Sequence, residues 1–139
     1  MFDASSNGAF DDIQVRISHS VRDVWTEQFN QFHPGEAWTP LVNMYQLQDR
    51  IDVCIDLAGI QPQTLKIEVT AGRLVVSGTR LAPDPRPSTN ESMRLICMEI
   101  DHGKFARTIS LPERVDFNAM HTEYAQGLFW IRLSLQPAG

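Results

Sequence analysis

Apolar and polar residues alternate along most of this chain with the period of a β-strand, whose successive side chains point to opposite faces. The segment "RIDVCIDLAG" (50–59) sets Ile51, Val53, Ile55 and Leu57 on one face and Arg50, Asp52, Cys54 and Asp56 on the other. "LKIEVTAGRLVVSG" (65–78) alternates through Leu65, Ile67 and Val69 and then turns at Ala71-Gly72, which predicts a hairpin. "LVNMYQLQ" (41–48) is loosely apolar, whereas "MRLICMEI" (93–100) is apolar on both faces, as in a strand covered on both sides. "GKFARTISLP" (103–112) places Phe105, Arg107, Ile109 and Leu111 in one row. "AMHTEYAQG" (119–127) follows, and "LFWIRLSL" (128–135) closes the series with Phe129, Ile131, Leu133 and Leu135 on one face.

Two stretches break the alternation. "LAPDPRPSTNES" (81–92) carries prolines at 83, 85 and 87, which cannot lie in a sheet interior, so it is an exposed loop. "SVRDVWTEQFNQF" (20–32) spaces Val21, Val24, Trp25, Phe29 and Phe32 as a helical stripe, with Ser20 and Asp23 as a cap pair, until "HPGE" ends it. An isolated helix of this size is marginal, so its aromatic residues must pack on something. The expected organisation is an N-terminal arm with an amphipathic helix (1–37), a sandwich domain (38–135) and a very short tail (136–139). Seven or eight short strands without a helical pattern point to an all-β, antiparallel sandwich.

Arg107 stands out in its apolar row. A buried guanidinium is costly unless paired and hydrogen-bonded. Its row is therefore either a core with a fixed ionic partner, or it reaches a surface where another chain supplies one.

A chain of 139 residues suits one domain with a real core. Its net charge of −5 argues against nucleic-acid binding, which rests on clustered Lys and Arg, and no polybasic segment suits an anionic membrane. "MFDASSNGAFDD" has no basic and then apolar character, so no secretory signal is expected, and no run approaches the ~18 apolar residues of a membrane span. The expected location is the cytoplasm. Cys54 and Cys97 form no C-x-x-C or zinc spacing and read as reduced, half-buried strand residues. His19, His33, His102 and His121 are scattered singly, and no Ser or Cys sits in a nucleophile motif. No metal, cofactor or catalytic residue is expected, and the chain does not read as an enzyme.

Five motifs occur in a fixed order: "WTP" (38–40), a strand ending in "DLAGI" (56–60), the "LKIEV…RLVVSG" hairpin, G-x-F-x-R-x-I-x-L-P (103–112), and a Gly before the apolar last strand in "YAQGLFWIRL". Together they resemble the α-crystallin domain of small heat shock proteins, the Hsp20 family, in its bacterial and plant branch. The resemblance implies an immunoglobulin-like β-sandwich that holds partly unfolded proteins without ATP and performs no covalent chemistry. It implies client or oligomer contact through Val21, Val24, Trp25, Phe29 and Phe32, and through Trp130, which lies on the face opposite Ile131 and Leu133 as an unpaired aromatic. It also implies an edge groove between Leu65, Ile67, Val69 and Met120, Thr122, Tyr124. Between Gly78 and Lys104 the chain has the long connection of that branch. By resemblance its strand 93–100 pairs with 41–47 of another subunit in a homodimer, setting Met93, Leu95, Ile96, Met98 and Glu99 against Leu41, Val42 and Met44. Arg107 then lies at or near the dimer interface, with Glu99, Asp101 and Glu91 of the exchanged arm as alternative partners.

The chain departs from the family pattern in two places. Ala58-Gly59 replaces the usual Pro-Gly, and "LSLQPAG" lacks an Ile-x-Ile pair beyond the last strand. A dimer, or a small assembly through the N-terminal helix, is therefore expected rather than a tail-docked cage. A co-chaperone of the p23/CS type shares the topology and is the alternative reading, but the 103–112 motif and the long connection favour the heat shock family. A carbohydrate-binding sandwich using Trp38 or Trp130 as a platform is a weaker rival.

Overall fold

Alternation becomes strand at nearly every place where it is regular. The computed structural model describes residues 13–17, 38–86 and 88–137. Among these, the strands are β1 (Gln14–Ile17), β2 (Val42–Gln46), β3 (Arg50–Asp56), β4 (Lys66–Thr70), β5 (Arg73–Arg80), β6 (Gly103–Ser110), β7 (Val115–Ala125) and β8 (Leu128–Leu135). They form two four-stranded sheets, ordered β1-β4-β5-β6 and β2-β3-β8-β7. Every pairing is antiparallel except β1 with β4. The fold is an all-β, immunoglobulin-like sandwich. The expected helical stripe, with Val21, Val24, Trp25, Phe29 and Phe32, lies outside the described residues.

The core is the predicted set of inward rows. Val53, Ile55, Leu57, Leu65, Ile67, Val69, Leu74, Val76, Phe129, Ile131 and Leu133 are fully buried, with Phe105 and Ile51 close behind. Cross-strand neighbours on the same face hold it together: Ile67 opposite Val76, Leu74 opposite Ile109, Val53 opposite Ile131. Gly72 closes the β4–β5 hairpin at φ +85°, and Gln126 (φ +56°) with Gly127 (φ +78°) closes the β7–β8 hairpin as a two-residue turn with both φ positive.

Three features differ from the alternation reading. β1 was not expected, because Ile13, Val15 and Ile17 alternate over too short a window to stand apart from a polar arm. β7 begins at Val115 rather than near Ala119, with an irregularity between Asp116 and Met120. Residues 93–100 form no strand, pair with no strand of the same chain and are exposed throughout. For the same reason Cys97 is exposed and outside any strand, whereas Cys54 is buried in β3 as expected.

Candidate functional site

The two motifs at 38–40 and 103–112 meet in space at one open margin of the sandwich. Trp38 donates its indole N–H to the carbonyl of Gly103 (2.9 Å) and packs edge-on against Phe105, with ring centroids 5.3 Å apart. The Arg80 guanidinium lies over the Trp38 ring at 3.9 Å and donates to the carbonyls of Asp101 (2.6 and 2.9 Å) and Ala58 (3.0 Å). One planar cation thereby ties the "DLAGI" turn and the start of β6 to Trp38.

Arg107 completes this margin. It lies in the inward row, opposite fully buried Val76, yet its guanidinium reaches the edge and donates to the carbonyl of Pro40 at 2.9 Å. Within the chain its hydrogen-bond partner is thus a backbone oxygen just before β2. The carboxylates of Glu91, Glu99 and Asp101 have no ion pair to it within the chain. A charge-assisted hydrogen bond of this kind contributes about 1.5–3 kcal/mol. It fixes the chain where it enters β2. Arg107→Gly is expected to lower stability by about that amount and to speed amide exchange selectively at residues 41–44. It should also loosen or enlarge any assembly built on β2. Unchanged exchange and unchanged native mass would count against this role.

β2 is the free edge of its sheet, and apolar side chains crowd it. Leu41 is 75% exposed, Met44 and Tyr45 are nearly half exposed, and Val42 is half-buried against the core. The loop at 93–100 is similarly uncovered: Ile96 is 92% exposed, and Met93, Leu95, Met98 and Ile100 all stand in solvent. An unpaired edge and a contiguous apolar segment of this size are unusual on a monomer. Of the sequence-predicted interface residues, those at 93–100 and Leu41 and Met44 are exposed, Val42 and Arg107 are half-buried, and within the single chain 93–100 does not pair with β2.

Trp130 is where the alternation places it, on the outer face of β8, but it is not unpaired. It is half-buried and stacks on Tyr45 (centroids 6.3 Å, planes 25° apart), and the Arg132 guanidinium lies 5.2 Å from its ring centre. Beside it runs an ionic ladder that the sequence reading missed. Arg50 donates to both oxygens of the nearly buried Asp52 carboxylate (3.0 and 3.2 Å), Arg132 approaches Asp52 at 3.6 Å, and Arg132 also pairs with Glu123. The signal was present as Arg50 and Asp52 on the polar face of β3, facing Arg132 across the sheet. Burial, and secondarily the Asp56 carboxylate, push the Cys54 thiol above its ordinary pKa, so it stays protonated and unreactive.

The expected edge-groove residues divide between the two sheets. Ile67 and Val69 lie in β4 with Leu65 just before it, all three fully buried, and Met120, Thr122 and Tyr124 share one face of β7, opposite Leu133, Ile131 and Phe129. Tyr124 donates its hydroxyl to the carbonyl of Leu57 at 3.2 Å, and burial raises its pKa. The β4 edge is already taken, however. β1 lies along it in parallel, with Val15 opposite Ile67 and Ile17 opposite Val69. Among the described residues no group of three His, Cys, Asp or Glu could hold a metal ion, and no helix is long and apolar enough to cross a membrane.

Comparison with known proteins agrees with this geometry. Residues 43–138 match the Hsp20/alpha crystallin family. Heat shock protein 16 of Schizosaccharomyces pombe is 26% identical over 132 residues, which cover 95% of this chain and 84% of that protein. A 19.0 kDa class II heat shock protein of Oryza sativa subsp. japonica is 30% identical over 104 residues, 73% of this chain but 59% of the rice protein, so the chain spans less than two thirds of that relative. Among solved structures, hspA from Xanthomonas axonopodis aligns with a TM-score of 0.62 at 26% identity, over 73% of this chain and 98% of that one.

Proposed function

This chain belongs to the Hsp20/alpha crystallin family, and from that premise we propose that it is an ATP-independent holdase chaperone that binds partly unfolded proteins and keeps them from aggregating. The observation that carries the reading is the uncovered apolar surface of β2 and residues 93–100. Burying apolar area is favourable by about 25 cal/mol per Å². A few hundred Å² of it therefore gives on the order of 5–10 kcal/mol before the costs of ordering, enough for weak and sequence-tolerant capture. Such capture needs no bond made or broken, so the role requires no catalytic residue, cofactor or metal. It also suits a protein acting in the cytoplasm.

The same surface supports a homodimer by strand exchange, in which 93–100 of one protomer adds to the open edge of β2 (41–47) of its partner. Edge addition satisfies the free backbone groups of β2 and buries the apolar side chains of both segments at once. Residues 1–37 act as a client- and oligomer-contacting arm, and 38–135 as the sandwich domain. The test is suppression of heat-induced aggregation of a thermolabile enzyme without ATP. Equimolar subunits are expected to hold most of it soluble, and no suppression at that ratio would overturn the holdase reading.

A further inference from the structure

One outer face of the sandwich is buried although no described strand lies over it. In β4, β5 and β6 the side chains that alternate with the core rows point away from the other sheet. On that face Thr70 and Val75 are 0% and 1% exposed, and Glu68, Ser77 and Ala106 are buried as well. The Thr70 hydroxyl finds no hydrogen-bond partner among the described residues, as under an apolar cover. The buried positions form a diagonal band. Thr70 and Glu68 lie on β4, Val75 and Ser77 on β5, and Ala106 on β6 opposite Ser77. Lys66 and Ser110, at the two corners off the band, are exposed. The two ends of the connection 18–37 sit at the ends of this diagonal. β1 stops at residue 17 on one edge of the sheet, level with Val69 and Leu74. The chain returns at Trp38, bonded to Gly103 at the start of β6, which is the opposite edge and level with Arg80. Three strand spacings across and six residues along separate these points, roughly 25 Å.

We propose that the outer face of β4-β5-β6 is a docking site for the amphipathic helix of residues 20–32 of the same chain. A helix of those thirteen residues measures about 20 Å, and the seven flanking residues complete the diagonal. Its large side chains, Val21, Val24, Trp25, Phe29 and Phe32, meet a floor of smaller ones, Thr70, Val75, Ser77 and Ala106. Large residues seated on small ones fill the space between two layers without voids. The outer face of the other sheet is a poorer seat. It carries the ion pairs of Arg50, Asp52, Arg132 and Glu123, which an aromatic stripe would strip of water. Once docked, the stripe is withheld from clients and from other copies of the chain. That consequence rests on the proposed role of the arm, whereas the docking itself does not.

The test reads access to the face in the full chain. Ala106→Cys, in a Cys54→Ala, Cys97→Ser background, puts a thiol on the band, and Ser110→Cys in the same background is the exposed control. With the helix docked nine-tenths of the time, modification at Ala106→Cys by a soluble disulfide reagent is slowed about tenfold. Trp25→Asp with Phe29→Asp should restore that factor at Ala106→Cys and leave Ser110→Cys unchanged. Val75→Glu, which sets a charge beneath the stripe and leaves the stripe intact, should speed modification about as much. Where Ala106→Cys fails to fold by circular dichroism, Ser77→Cys reports on the same band. Equal rates with and without these changes would overturn the proposal. So would a rate that rises on dilution, because the helix would then come from a second copy. Aggregation suppression by Val75→Glu is read separately and is expected to rise. If it does not, although the face has been freed, the client role of the arm fails and the docking site stands.

Discussion

If the proposed strand exchange holds the chain as a dimer, Ile96→Asp combined with Met98→Asp is expected to give single chains at micromolar concentration while leaving the sandwich folded. Both side chains are exposed in the single chain and contribute nothing to its core, so their loss costs the fold almost nothing. In an exchanged dimer each is covered on the edge of the partner's β2, beside Leu41, Val42 and Met44. Fully burying a large aliphatic side chain contributes about 1.5–3 kcal/mol. A two-fold dimer uses each position twice, so four such contributions disappear and four carboxylates must be desolvated. A loss on the order of 6–12 kcal/mol is comparable to the roughly 8 kcal/mol that holds a dimer of micromolar affinity, so dissociation at micromolar concentration is expected. Native mass spectrometry reads the result directly. A dimer of unchanged mass and affinity would refute strand exchange through this segment. Aggregation suppression in the monomeric variant would then show whether clients need the dimer or only the apolar surface.

Gly127→Val is expected to lower the melting temperature by about 10 °C or more, the largest effect of any single change considered. Gly127 sits at φ +78°, where an L-residue is strained by roughly 1–2 kcal/mol and a β-branched one by more. A Cβ there would also stand 2.9 Å from the Cβ of Ala58 and 3.3 Å from its Cα. The approach is close because the Gly127 carbonyl accepts the Leu57 amide at 2.9 Å, which ties the last hairpin to the end of β3. Strain and overlap together cost about 3 kcal/mol or more, and each kcal/mol is worth roughly 4–8 °C in a domain of this size. A double-mutant cycle separates the two terms. Gly127→Ala retains the strain and the overlap, and adding Ala58→Gly removes the overlap with the Ala58 Cβ, so the pair should lose less than the sum. Additivity, or a Gly127→Val protein as stable as the parent, would defeat the explanation.

These two positions also mark how far a one-dimensional reading reaches. Gly127 was legible as a turn before an apolar strand, but its contact with Ala58 was not, because the two residues are far apart in the chain. The row containing Arg107 was read correctly, and its cost was correctly identified as needing a partner. Its partner within the chain is the carbonyl of Pro40, which no pattern of charges could reveal. Backbone acceptors are present at every residue and leave no mark in the sequence. Trp130 was assigned to the right face and expected to be unpaired, because Tyr45 reaches it only across β3. β1 went unseen, since four alternating residues in a polar arm become a strand only when an open sheet edge is offered to them.

What the sequence determined by itself is the fold. Period-two alternation with Gly and Pro at the turns sets which residues face inward, and burying those rows is the dominant favourable term in folding. The family followed from the order of five short motifs. What only the tertiary structure decided is which edges are free and which are occupied. β2 is open, β4 is covered by the chain's own residues 13–17, and 93–100 is left without a ladder. Strand edges are completed by backbone groups that every residue carries, so the choice of occupant depends on geometry and proximity rather than on side-chain pattern.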